Sequence, residues 1–189
     1  MIKAVVIGTS FGGMEAIKTI LGGLSVDFHI PVICVLHIGN NNINTYMSIL
    51  NNKTVFSVKE AEEKEKIKSK RVYFAPPNYH LQIEKDLTLS LSTDRKVNYS
   101  RPSIDVLFET AAWTYKNELV GVLLTGSNSD GAEGLKTIKD FGGITIVENP
   151  ETAMAGLMPE TAIKKCTPNY ILDLKLIPGK LMELCGVRI

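Results

Sequence analysis

Lys3-Ala-Val-Val-Ile-Gly-Thr-Ser-Phe-Gly-Gly13 carries an apolar run directly into a serine framed by glycines. Ala4–Ile7 is short and apolar throughout, the pattern of a parallel strand covered on both faces. Met14, Ile17, Ile20 and Leu21 then recur at helical spacing, and Gly22-Gly23 ends the run. Strand, tight turn and helix in this order set the grammar of the chain. Ser10 sits between Gly8 and Gly12 in a G-x-S-x-G spacing. Such a spacing puts a hydroxyl at the tip of a sharp strand-to-helix turn, with backbone N–H groups free beside it.

The same alternation continues outward from this stretch. Pro31–His37 reads as a second buried strand, Ile43–Leu50 as a helix and Val55–Val58 as a shorter strand. The mixed charges of Lys59–Arg71 read as a solvated loop or helix. Val72–Ala75, His80–Ile83 and Leu87–Ser92 read as short strands, with Lys85-Asp86 as a hairpin turn. Beyond Pro102, which suits a helix start, Ile104–Tyr115 is helical. Leu119–Leu124 is a strand, Ala132–Asp140 a helix, Ile144–Val147 a strand, Ala153–Lys165 largely helical despite Pro159, Tyr170–Leu172 a strand and Pro178–Leu184 a short helix. The expected fold is α/β: a doubly wound, mainly parallel sheet flanked by helices, with a small antiparallel β insertion near residues 72–92. Residues 1–189 are expected to form a single domain.

Bulk properties narrow the function. With 44% hydrophobic and 22% charged residues the composition is that of an ordinary globular protein, and a formal charge of +1 provides no electrostatic footprint for nucleic acid or an anionic membrane. No 18-residue apolar run occurs, and Met1-Ile2-Lys3 leads straight into the first strand without a signal-peptide pattern, so a cytoplasmic location is expected. Cys34, Cys166 and Cys185 lack metal-ligand or redox spacing and read as structural thiols. Cys34 and His37, three apart on a strand, point to opposite faces. No metal and no cofactor is called for.

In parallel α/β sheets ligands bind outside the carboxyl ends of the strands. Ser10 lies just past strand one, His37 ends strand two, and Asp130 lies in the loop Thr125-Gly-Ser-Asn-Ser-Asp-Gly131 after the strand ending at Leu124. All three fall on one edge. The chemistry of a serine hydrolase follows: Ser10 as nucleophile, His37 as the base that activates it, Asp130 as the carboxylate that orients the imidazole, and the Phe11 N–H as oxyanion donor. His29 opens strand two, roughly 25 Å of extended chain from the other edge. His80 opens a strand of the insertion and is a candidate substrate contact. Arg101 is a candidate cation for a carboxylate or oxyanion. Asp105, in a first helical turn, is explained by the helix dipole. A dinucleotide site would need glycine at Ser10 and a carboxylate at His37. An α/β-hydrolase would need the order Ser, Asp, His with strands ahead of the elbow.

Eight segments in order resemble the catalytic domain of the chemotaxis protein-glutamate methylesterase family (CheB): Ile7-Gly-Thr-Ser-Phe-Gly-Gly13, Val35-Leu-His-Ile38, Val58-Lys-Glu-Ala-Glu62, Tyr73-Phe-Ala-Pro-Pro77 with His80-Leu81, Arg101-Pro-Ser-Ile-Asp-Val-Leu-Phe108, Leu124-Thr-Gly126, Asp130-Gly-Ala132 and Met158-Pro159. The resemblance implies a triad of Ser10, His37 and Asp130 that hydrolyses glutamate γ-methyl esters on the cytoplasmic helices of chemoreceptors, releasing methanol; some members also deamidate receptor glutamines. It further implies a receiver or regulatory domain as a partner. No phosphoacceptor aspartate is assignable ahead of the first strand. Three departures stand out. Phe11 follows the serine where the family often has a small residue. Leu-Thr-Gly-Ser-Asn replaces the frequent Leu-Thr-Gly-Met-Gly, putting Ser127 in place of a methionine near the site. Ile38-Gly39 follows the histidine in place of Met-Pro. The alternatives are hydrolysis of another ester or amide, and a non-catalytic module that holds a signalling partner.

Overall fold

Seven parallel strands in the order β3-β4-β2-β1-β7-β8-β9 form the central sheet of the computed structural model, which describes residues 1–37 and 43–187. The strands are β1 (Ala4–Thr9), β2 (Val32–Leu36), β3 (Ser57–Glu60), β4 (Arg71–Phe74), β7 (Leu119–Leu123), β8 (Ile144–Glu148) and β9 (Tyr170–Leu172). A separate antiparallel hairpin holds β5 (His80–Ile83) and β6 (Leu89–Ser92). Among the described residues six α-helices flank the sheet: α1 (Gly13–Gly23), α2 (Ile43–Lys53), α3 (Ile104–Tyr115), α4 (Ala132–Asp140), α5 (Leu157–Cys166) and α6 (Ile177–Leu184). The Ile38-Gly39 departure lies outside the described residues. Among those residues no helix is long and apolar enough to cross a membrane.

The period-2 alternation of the strands divides the core into two layers. Val5, Ile7, Val32, Cys34, Val120 and Val122 pack on one face against α1, α2 and α6. Ala4, Val6, Ile33, Val35, Tyr73 and Leu123 pack on the other against α3, α4, α5 and the hairpin. Central strands buried on both faces need an apolar residue at every position, which is why β1, β2 and β7 read as unbroken apolar runs.

Two expectations are corrected. Residues 72–92 are not one antiparallel insertion: β4 pairs in parallel with both β2 and β3, and only residues 80–92 form the hairpin. Val72-Tyr73-Phe74 is buried throughout, without the alternation of a half-exposed antiparallel strand. The helix expected from Ala153 begins at Leu157. Pro159 lacks an N–H and is tolerated in a first turn, so the start lies close before it and residues 153–156 are left as a loop.

The chain leaves β1 toward β2 on one side and reaches β7, β8 and β9 on the other. Loops after β1 and β7 therefore diverge, and the crevice opens between them.

Candidate active site

Ser10 stands one residue past β1, and its turn is tied down from the β7 side. The Ser10 N–H and the Thr9 hydroxyl both donate to the Thr125 carbonyl, at 3.0 and 2.9 Å. The Thr125 hydroxyl donates to the Phe11 carbonyl at 3.0 Å and accepts the Ala155 N–H at 2.8 Å. Gly12 then turns the chain into α1 with φ of +83°, a left-handed conformation suited to glycine, and a Cβ there would meet Met154 at 2.9 Å. Among the described residues no acceptor takes the Phe11 N–H. It sits at the head of α1, where the helix dipole adds positive potential. The Phe11 ring swings outward and is 62% exposed, so the bulky substitution leaves this donor in place. Across the crevice, a Cβ on Gly126 would come within 3.0 Å of the Ser10 Cβ.

His37 continues the parallel ladder one step past Thr9↔Leu36: its N–H donates to the Thr9 carbonyl at 3.1 Å. It therefore follows the strand next to the one that leads into Ser10. Its Nε2 lies 3.0 Å from Asp130 Oδ2, a close approach whose N–H direction is off the line of a good hydrogen bond. Catalytic contacts in free enzymes are often misaligned in this way and tighten around substrate. The other nitrogen, Nδ1, lies 3.2 Å from the Asn128 amide nitrogen.

Asp130 is fully buried, and donors from α3 make that possible. Oδ2 accepts the Ile104 N–H at 2.7 Å, while Oδ1 accepts the Ser103 hydroxyl at 2.8 Å and Asn98 Nδ2 at 3.1 Å. The carboxylate thus caps α3 from another loop, where helix dipole and orphan N–H groups favour negative charge. Burial alone would raise its pKa. His37, the Ile104 N–H, Asn98 and Ser103 outweigh that and hold it below the ordinary carboxylate value.

For Asp105, in the first turn of α3, the helix dipole is an incomplete account. Its side chain is buried, accepting the Gly134 N–H of α4 at 2.7 Å and Asn98 Nδ2 at 2.7 Å. Burial, with the nearby Asp130 charge adding to it, pushes its pKa up to about 6 against the pull of the Gly134 hydrogen bond. His80 is also corrected. At 1% exposure it is closed to substrate: Nδ1 accepts the Ser103 N–H at 3.2 Å and Nε2 donates to the Arg95 carbonyl at 3.1 Å. It holds Ser103, which in turn holds Asp130. Arg101 directs its guanidinium to the carbonyls of Thr93 and Asp94, at 2.7 and 2.9 Å, and so fastens the loop ahead of α3. Ser127 is exposed. Cys34 is buried, which pushes its thiol pKa up and away from thiolate chemistry.

Sequence reasoning passed over Asn98, Asn128 and Glu148. Buried Glu148, whose pKa burial raises, accepts the Thr125 N–H at 2.8 Å and so orients the residue that ties the Ser10 turn. Its signal was available, a carboxylate ending the apolar strand β8. A groove of about 740 Å³ runs beside the turn, lined by Gly12, Glu15, Thr125, Glu148, Met154 and Leu176 but by none of Ser10, His37 and Asp130. The assembled edge offers a hydroxyl, an imidazole backed by a buried carboxylate, and the unengaged Phe11 N–H, the components of acyl transfer.

Known proteins resemble the chain over nearly all of its length. The sequence pattern of the family described as CheB methylesterase matches residues 5–181. A protein of Leptospira interrogans is 54% identical over 182 residues, 96% of this chain and 94% of its own. A protein-glutamate methylesterase/protein-glutamine glutaminase of Thermotoga maritima is 34% identical over 185 residues, 96% of this chain and 54% of its own length. The crystal structure of the Thermotoga maritima CheB methylesterase catalytic domain superposes with a TM-score of 0.93 at 34% identity, covering 97% of this chain and 99% of that one. Sequence and fold agree: the chain belongs to the CheB methylesterase family.

Proposed function

We propose that this chain is a metal-free serine hydrolase that removes methyl groups from glutamate γ-methyl esters on the cytoplasmic helices of chemoreceptors, and that it hydrolyses receptor glutamine amides by the same route. The observation that carries the reading is the order of groups along the sheet edge. Ser10 and His37 end adjacent parallel strands, and the buried Asp130 lies 3.0 Å behind His37 Nε2. With Nε2 toward Asp130, Nδ1 is the nitrogen that must take the serine proton.

His37 takes the Ser10 proton as Oγ adds to the γ-carbonyl carbon. The charge that develops on the carbonyl oxygen is met by the Phe11 N–H at the head of α1, a donor held in place before reaction. The tetrahedral intermediate collapses when His37 returns the proton to the methoxy oxygen. Methanol leaves, and the glutamyl group stays on Ser10. Water, deprotonated by the same imidazole, then releases free glutamate and restores the hydroxyl. A glutamine amide follows the same path with ammonia as the leaving group. Asp130 stabilises the imidazolium in both halves without taking its proton.

A protein substrate also suits the surroundings, since Phe11 and Met154 beside the turn are 62% and 64% exposed. A receiver or regulatory domain is the second partner under this reading. The test offers the protein two chemoreceptor fragments, one carrying methylated glutamates and one carrying glutamines at the same positions. Methanol from the first and ammonia from the second are expected. Turnover of small methyl esters with neither receptor fragment consumed would transfer the activity to another ester.

A further inference from the structure

His37 has two ring nitrogens, and both have neighbours. Nε2 faces Asp130 at 3.0 Å, and Nδ1 faces the Asn128 amide nitrogen at 3.2 Å. The orientation of that amide is fixed from its other end, because Asn128 Oδ1 accepts the Asp130 N–H at 3.0 Å. A carbonyl oxygen occupied in that way leaves the NH2 group toward the ring. An NH2 donates and cannot accept, so Nδ1 is the unprotonated nitrogen and Nε2 carries the proton toward Asp130. The lone pair that must receive the serine proton is therefore already accepting a hydrogen bond. Nδ1 has one lone pair, and a Ser10 nucleophile must contend for it with the Asn128 amide.

We propose that Asn128 is a latch on the general base: its side chain occupies His37 Nδ1 in the resting enzyme and must let go before Ser10 is activated. This rests on the assignment of Ser10, His37 and Asp130 above. Asn128 is anchored to the backbone of Asp130 itself, and the aspartate that orients the imidazole and the amide that blocks it move as one loop. Substrate entering the crevice has a single segment, Thr125–Gly131, to displace. Asn128 also stands at the second glycine of the family's frequent Leu-Thr-Gly-Met-Gly, where no side chain could reach the ring. The latch is thus a property of this chain's own residue. Asn128 acts through His37 and is a positioning residue; it holds no reacting atom.

The test compares wild type with Asn128→Gly, Asn128→Asp and His37→Ala, reading kcat and KM from methanol release by a methylated receptor fragment. Nitrogen-15 shifts of the His37 ring at neutral pH give a second readout that needs no turnover. Removing a neutral hydrogen bond that the transition state must break should raise kcat in Asn128→Gly by about fivefold with KM unchanged. The Nδ1 resonance should move downfield as it loses its donor. Asn128→Asp, nearly isosteric, can only accept from Nδ1–H; it should trap the ring doubly protonated between two carboxylates and lower kcat by about tenfold or more. The latch is overturned by identical Nδ1 shifts in wild type and Asn128→Gly, or by an Asn128→Asp enzyme that keeps wild-type kcat. A kcat in folded Asn128→Gly at or below wild type would also overturn it. Wild-type turnover in His37→Ala would instead remove the triad assignment beneath it, while leaving the Nδ1 shift intact.

Discussion

The loop ending at Asp130 and the first turn of α3 meet across Asn98, and each contributes a buried carboxylate to the meeting. The two are of opposite character. Asp130 gathers donors on both oxygens and stays below the ordinary carboxylate pKa, while Asp105, with the Gly134 N–H and a shared Asn98, is pushed up to about 6. Burial is common to both, so burial does not decide their charge. The number and kind of donors does, and the first charge placed raises the cost of the second. Asp130 is thereby held ionised beside His37, and Asp105 joins α3 to α4.

The largest expected break in this comparison is Asp130→Asn. It keeps the shape but presents an NH2 where acceptors are needed, and kcat for methanol release should fall by about 10^4-fold, as it does when a triad carboxylate becomes an amide. Asp105→Asn should cost less than about tenfold in the same assay, the scale of a supporting hydrogen bond. Equal losses would erase the distinction.

Stability sharpens it from the other side. A carboxyl whose folded pKa is raised favours folding while protonated, and that contribution is lost as pH rises from about 4 to about 6. Asp130, with its pKa lowered, has the opposite slope: it stabilises above the ordinary carboxylate range and stops doing so in acid. Urea unfolding of wild type and Asp105→Asn at pH 4 and pH 7 should show their difference moving by about 3 kcal/mol in the variant's favour on going to pH 7. A constant difference would mean that Asp105 titrates normally.

A smaller effect tests how closely the two loops must approach. A methyl group on Gly126 would meet Met158 Cε at 2.5 Å and Ser10 Cβ at 3.0 Å. Displacement of the nucleophile by even about 1 Å costs on the order of 100-fold. Gly126→Ala should therefore lower kcat by about that factor, and the double variant with Met158→Ala, which clears the closer clash, should recover part of it.

Much of this was legible in the sequence. Strands such as β1 and β7 announce themselves as unbroken apolar runs, and the ends of such runs locate Ser10, His37 and the loop of Asp130 on one edge. Val72–Phe74 was grouped with the hairpin because three short strands in succession suggest a meander, although its unbroken burial belongs to the parallel sheet. His80 and Asp105 were misjudged for a different reason. Their partners, Ser103 and Gly134, lie 23 and 29 residues away along the chain, and no local pattern records such a contact. Asn128 was overlooked because its meaning lies in an amide's orientation, which only the neighbouring Asp130 N–H fixes.

The most direct test of the central claim is methanol release from a methylated chemoreceptor cytoplasmic fragment by wild type, Ser10→Ala and His37→Ala. Release by wild type that disappears in both variants is the predicted result. Undiminished release by Ser10→Ala would contradict it, since the ester would then be cleaved without the Ser10 hydroxyl.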